Sequence, residues 1–179
     1  MMNLFLIGYR CSGKNTVGKS IAKNFGWAFI DADAILVDAC EKSIKDIIAT
    51  DGWEYFRRIE RSTLKRICAA NRQVVATGGG VVLEAANIEA MKTSGRIVWL
   101  VATAATIRKR MRSDQNSEDF RPALTQKGTL AEIELLLAER SPYYERASEF
   151  LIDTDGIPVP EIAHRILQKL NWANADKLR

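Results

Sequence analysis

The stretch Gly8-Tyr9-Arg10-Cys11-Ser12-Gly13-Lys14-Asn15-Thr16 has residue types and spacing suited to gripping phosphate, close to G-x-x-x-x-G-K-[ST]. Its glycines let successive backbone N–H groups turn inward onto phosphate oxygens. The helix expected after it adds unpaired donors and the positive end of its dipole. Lys14 reaches the outer phosphates as a point charge, Thr16 stands near an inner one, and Cys11, Ser12 and Gly13 form the loop between. One position departs from the pattern: Asn15 stands where a Ser or Thr hydroxyl normally ligates magnesium. An amide oxygen also ligates a hard cation, but from a longer, bulkier and neutral side chain. The chain is expected to bind a nucleoside triphosphate.

Four further groups carry chemistry. Asp31-Ala32-Asp33 ends an apolar run, and carboxylates there hold magnesium through water or accept a proton from an attacking hydroxyl. Phe56-Arg57-Arg58-Ile59-Glu60 sets a base and an acid three apart on one helical face, where the acid orients the base. Gly78-Gly79-Gly80 offers bare backbone N–H groups to a ligand. A polar segment from Arg112 closes at Arg121-Pro122, and Arg140-Ser141-Pro142-Tyr143-Tyr144 is expected to end the helix that follows. Singly, each has a plain structural role: an N-cap, a surface ion pair, a turn, a loop charge.

Elements must bring these groups together. Continuously apolar runs at 4–7, 28–30, 74–76, 97–101 and 150–152 predict strands covered on both faces. Helical patterns separate most of them, among them 43–50, 53–68, 84–91 and 161–170, which argues for βαβ crossovers and a parallel sheet. Thr129 and Glu132 form a possible capping box for the helix before the fifth run. His164 falls off the apolar face of the last helix and reads as a surface residue.

In this order the groups resemble the shikimate kinase family over nearly the whole chain. The resemblance implies an α/β, nucleoside-monophosphate-kinase-like three-layer sandwich with a five-stranded parallel sheet of order 2-3-1-4-5. It implies transfer of the ATP γ-phosphate to the shikimate 3-hydroxyl. Asp33 is then the proton acceptor and holds ring hydroxyls. Arg57 and Arg140 bind the carboxylate, for which guanidinium forks are well matched. The glycines Gly78, Gly79 and Gly80 line the acceptor site, and Lys14 and Arg121 neutralise the transferring phosphoryl group. Arg112 either stacks on adenine or is solvated. Magnesium falls to Asn15 and Asp31. One domain is expected over 1–179, with the phosphate loop at 8–16, a shikimate-binding region at about 31–61 and a lid at about 112–124.

Two other readings stay open: because of Asn15, a catalytically weak ATP- and shikimate-binding pseudokinase or regulator; and, because the fold is shared, a related small-molecule kinase of gluconate type. Bulk properties agree with an enzyme of small anions. A net charge of +4 from scattered basic residues does not point to nucleic acid. The three cysteines, an odd number without metal-ligand spacing, suit free thiols in a reducing compartment. No apolar stretch approaches a bilayer span and the first residues do not read as a secretory signal, so the cytoplasm is expected; a monomer is the default for a compact chain without an evident apolar oligomerisation stripe.

Overall fold

Every side chain of β1 (Asn3–Ile7) is buried, and the two-residue period of a strand sends them into two different cores. On one face, Leu4 and Leu6 pack with Val17 and Ile21 of α1 (Lys14–Phe25) and Ile162 and Ile166 of α7 (Val159–Lys169). On the other, Phe5 and Ile7 meet Leu64 and Ile67 of α3 (Ile44–Cys68) and Ile88 and Met91 of α4 (Ala85–Ser94). Burying each such aliphatic side chain contributes about 1.5–3 kcal/mol relative to exposure. The computed structural model, which describes residues 2–113 and 130–172, is thus a sheet layered between helices.

The remaining strands are β2 (Ala28–Asp31), β3 (Gln73–Ala76), β4 (Gly95–Val101) and β5 (Phe150–Asp153). All neighbours pair in parallel, in the order β2-β3-β1-β4-β5. Each expected apolar run lies inside a strand. The chain lays β2 and β3 on one side of β1 and β4 and β5 on the other, and the crevice beyond the strands' carboxyl ends at such a switch is where these sheets bind ligands. Completing the chain are α2 (Ala32–Cys40), α5 (Ala104–Ser113) and α6 (Leu130–Ala147). No helix of the described residues is long and apolar enough to cross a membrane.

Three details differ from the sequence reading. Segments 43–50 and 53–68 form one helical run, α3, broken only where Gly52 takes φ 82° and ψ 170°. Asp33 lies in the first turn of α2 rather than on a strand end, because Asp31 caps that helix with its own carboxylate. The helix carrying Arg140 does not end within the 140–144 segment but runs through Pro142 to Ala147, with Ser141 Oγ donating to the Leu137 carbonyl at 2.6 Å just before the proline. Burial of Tyr144 and Ala147 in the second core holds that last stretch down. Arg121, Thr129 and the lid positions 114–124 lie outside the described residues.

Candidate active site

The phosphate loop leaves β1 at Gly8, whose φ of 139° and close approach to β4 exclude a side chain. A Cβ there would lie 2.4 Å from the Leu100 carbonyl oxygen. Gly13 (φ 98°) begins α1 without any side-chain cap, which leaves the first-turn N–H groups for a ligand. Cys11 sits between them at φ 59°, the left-handed region that costs a residue with a β-carbon about 1 kcal/mol, so here the cysteine occupies a glycine conformation. The Lys14 side chain is buried, and Nζ donates to the carbonyls of Gly8 (2.9 Å) and Tyr9 (2.8 Å). These bonds hold the ammonium at the loop's centre.

A cavity of about 670 Å³ opens over this loop, lined among others by Lys14, Asn15, Thr16, Asp31, Asp33, Arg110 and Thr154. Asn15 and Asp31 are joined: Asn15 Nδ2 donates to Asp31 Oδ2 at 2.6 Å, while Asp31 Oδ1 accepts from the backbone N–H groups of Asp33 (3.1 Å) and Ala34 (3.3 Å). With its NH₂ spent on the carboxylate, the amide of Asn15 keeps its oxygen for another partner. An all-oxygen donor set on a cavity wall fits magnesium, which retains water and takes substrate phosphate oxygens rather than a full protein cage. Among the described residues no three His, Cys, Asp or Glu side chains gather into a metal-holding group.

A smaller cavity of about 70 Å³ adjoins the first, lined by Asp33, Trp53, Phe56, Arg57, Glu60, Gly78, Gly79, Gly80 and Arg140 among others. Arg57 Nη1 donates to Glu60 Oε2 at 2.5 Å, and its guanidinium carbon lies 5.6 and 5.2 Å from the ring centroids of Trp53 and Phe56. Burial pushes the Glu60 carboxyl above its ordinary range, against the pull of Arg57. Arg58, one residue on, is exposed over Tyr55. Arg140 reaches the same cavity from α6, and Tyr144 donates from its hydroxyl to the Gly79 carbonyl at 2.5 Å. Burial also drives the Tyr144 phenol well above its ordinary value.

Two of the three glycines are needed for room, while a Cβ on Gly79 would meet nothing nearer than 3.5 Å. A Cβ on Gly78 would lie 2.7 Å from Asp33 Oδ1, and one on Gly80 2.5 Å from Arg57 Nη2. Arg57 has little freedom to yield, because Glu60 and two aromatic rings hold it. Gly80→Ala is therefore expected to raise the KM for the acceptor about ten-fold with a much smaller change in the KM for ATP. Initial-rate kinetics in both substrates checks this, and equal changes in the two constants would count against it.

Arg112 is exposed and lines a shallow hollow with Ala105, Arg108, Lys109, Ser113 and Leu130, apart from the large cavity. Its neighbour Arg110, which sequence reasoning passed over, lines the large cavity instead. Arg110 Nη1 donates to the Cys11 carbonyl and to Thr154 Oγ1, both at 3.1 Å, and Nη2 to the Thr154 carbonyl at 2.8 Å. It clamps the phosphate loop to the turn after β5. These partners lie 99 and 44 residues away, so no local pattern marks the residue.

A sequence profile described as shikimate kinase matches residues 10–171. The curated shikimate kinase of Moorella thermoacetica is 38% identical over 168 residues, covering 94% of this chain and 94% of that protein. Shikimate kinase 2 of Sodalis glossinidius is 39% identical over 168 residues, with 94% and 95% covered. Among solved structures, shikimate kinase from Acinetobacter baumannii in complex with shikimate superposes with a TM-score of 0.88 at 28% identity, covering 100% of this chain and 96% of that one. The enzyme from Aquifex aeolicus gives 0.79 at 30% identity, with 97% and 98% covered. Agreement of that extent, in sequence and fold together, means that this chain belongs to the shikimate kinase family.

Proposed function

We propose that this chain transfers the γ-phosphoryl group of ATP to the 3-hydroxyl of shikimate, giving shikimate 3-phosphate and ADP, with Asp33 as proton acceptor. One observation carries the assignment of roles: among the described residues, Asp33 is the carboxylate that lines both the phosphate cavity and the acceptor cavity. A base at that junction reaches a hydroxyl held in one cavity while it faces a phosphoryl group held in the other. Arg57 and Arg140 enter the acceptor cavity with their guanidinium groups, suited to the ring carboxylate, and Gly79 offers a backbone donor beside them. Lys14 and the first-turn N–H groups of α1 hold the triphosphate, and Arg121 adds its charge from the lid. Phosphoryl transfer relies on positioning and electrostatics, which is what these groups supply.

Asn15 and Asp31 are the residues that would hold magnesium, which when bound neutralises charge on the phosphate oxygens. The same reading makes the chain a single domain acting as a cytoplasmic monomer. A coupled ATP–shikimate assay with magnesium titrated tests the function and the metal site together. Turnover in the parent is expected, with the magnesium requirement falling about ten-fold in Asn15→Ser as a compact hydroxyl replaces the amide. Turnover only in Asn15→Ser would instead make the parent a binding pseudokinase. Phosphorylation of gluconate rather than shikimate would make it a related small-molecule kinase.

A further inference from the structure

One link between the phosphate loop and the acceptor cavity runs through an aromatic ring. Tyr9, the second residue of the loop, is 3% exposed, and the guanidinium carbon of Arg140 lies 5.7 Å from its ring centroid. Tyr144 lies near enough to feel the Arg140 charge, and its own hydroxyl is fixed on the Gly79 carbonyl. The backbone of Tyr9 is fixed as well, since its carbonyl accepts from Lys14 Nζ at 2.8 Å. Arg140 thus lies over a buried ring face with a buried phenol nearby, and both aromatic residues are anchored to loops of the site. A guanidinium stem has many rotamers, and its fork recognises a carboxylate only in one plane and direction. A ring face attracts the cation and presents a flat surface that selects such a plane.

We infer that Tyr9 is a positioning residue for the acceptor: its ring holds Arg140 in the orientation that meets the shikimate carboxylate, a role that rests on the reading of Arg140 as that carboxylate's partner. The ring also packs with Ala102, Ala104, Ile107 and Ile133, so a purely space-filling role is the competing account. The two differ in what they predict. A filler is replaceable by any apolar group of similar size and has no preference among acceptors. A ring that orients Arg140 matters only when both Arg140 and the acceptor's negative charge are present.

Calorimetric titration of ADP-saturated protein separates the two accounts, using shikimate and its uncharged methyl ester as ligands. Tyr9→Leu is expected to weaken shikimate binding about ten-fold, whereas Tyr9→Phe, which keeps the ring, stays within about two-fold of the parent. Methyl ester affinity is expected to be equal in the parent and Tyr9→Leu, and Tyr9→Leu should add no further loss to an Arg140→Gln protein. ADP affinity, measured alongside, reports that the loop is intact, and Tyr9→Met offers a second ring-free variant should Leu not fill the cluster. Equal weakening toward shikimate and its ester, or none toward shikimate, would overturn the inference. Unchanged shikimate binding in Arg140→Gln would overturn the carboxylate reading beneath it, a result distinct from loss in Arg140→Gln with none in Tyr9→Leu.

Discussion

Lys14→Met is expected to lower kcat/KM by about three orders of magnitude while the protein remains folded. The stem of the residue is buried, so the unbranched thioether of similar length fills most of its volume. Its ammonium donates to the Gly8 and Tyr9 carbonyls, and losing two such bonds costs about 1–3 kcal/mol of stability. Removal of a charge from a buried position offsets part of that cost. Nothing offsets the loss in the transition state, where a point charge beside the moving phosphoryl group contributes about 4 kcal/mol, equivalent to the expected thousand-fold. Steady-state kinetics with a thermal unfolding curve on the same sample checks both halves. A loss below ten-fold would mean that backbone N–H groups and Arg121 suffice without the ammonium.

The resting bonds of Lys14 also bear on how the site is kept ready. Its carbonyl partners belong to the loop whose N–H groups must face a phosphate, so the ammonium braces the loop from inside. Arg110 braces it from outside, through the Cys11 carbonyl and the turn at Thr154. Held at both points, the loop keeps its shape even with Cys11 in a left-handed conformation. That arrangement gives a physical account of how a non-glycine residue is tolerated there.

What the sequence made legible follows from where the information lies. The five strands are read directly because both their faces are covered, which forces unbroken apolar runs. Their order is a different matter: β3 inserts between β1 and β2, and only likeness to a known family anticipates this. The α2 helix escapes local reading because only Leu36 is buried on it, so it has no apolar stripe to reveal it. The end expected at Arg140–Tyr144 falls three residues short, because burial of Tyr144 and Ala147 carries the helix past Pro142. Among the residues lining the two cavities, Lys14, Asp33, Arg57 and the triple glycine lie inside short motifs and could be singled out from them. The contacts of Arg110 and Tyr9 with distant residues leave no such mark. The Asn15–Asp31 bond likewise joins two motifs that were read separately.

Asp33→Asn is expected to lower kcat by about a hundred- to ten-thousand-fold while the KM for shikimate changes several-fold at most. The amide keeps the shape and much of the hydrogen bonding of the carboxylate, so ring hydroxyls still find a partner, but it has no basic oxygen to take the proton. Equal size makes the substitution a clean one: Asp33 packs closely against Gly78, where an added Cβ would lie 2.7 Å from Oδ1, and asparagine adds no volume there. Asp31→Asn provides the contrast. There the carboxylate caps α2 with one oxygen and accepts from Asn15 with the other; asparagine is an equally good N-cap, and a flipped Asn15 amide can accept from its NH₂. Its effect should therefore be far smaller at saturating magnesium. Two carboxylates, two residues apart, would then separate by at least ten-fold in kcat under the same substitution. Comparable losses in both variants would mean that negative charge near the phosphates matters more than a base at the hydroxyl, and the proton would need another acceptor.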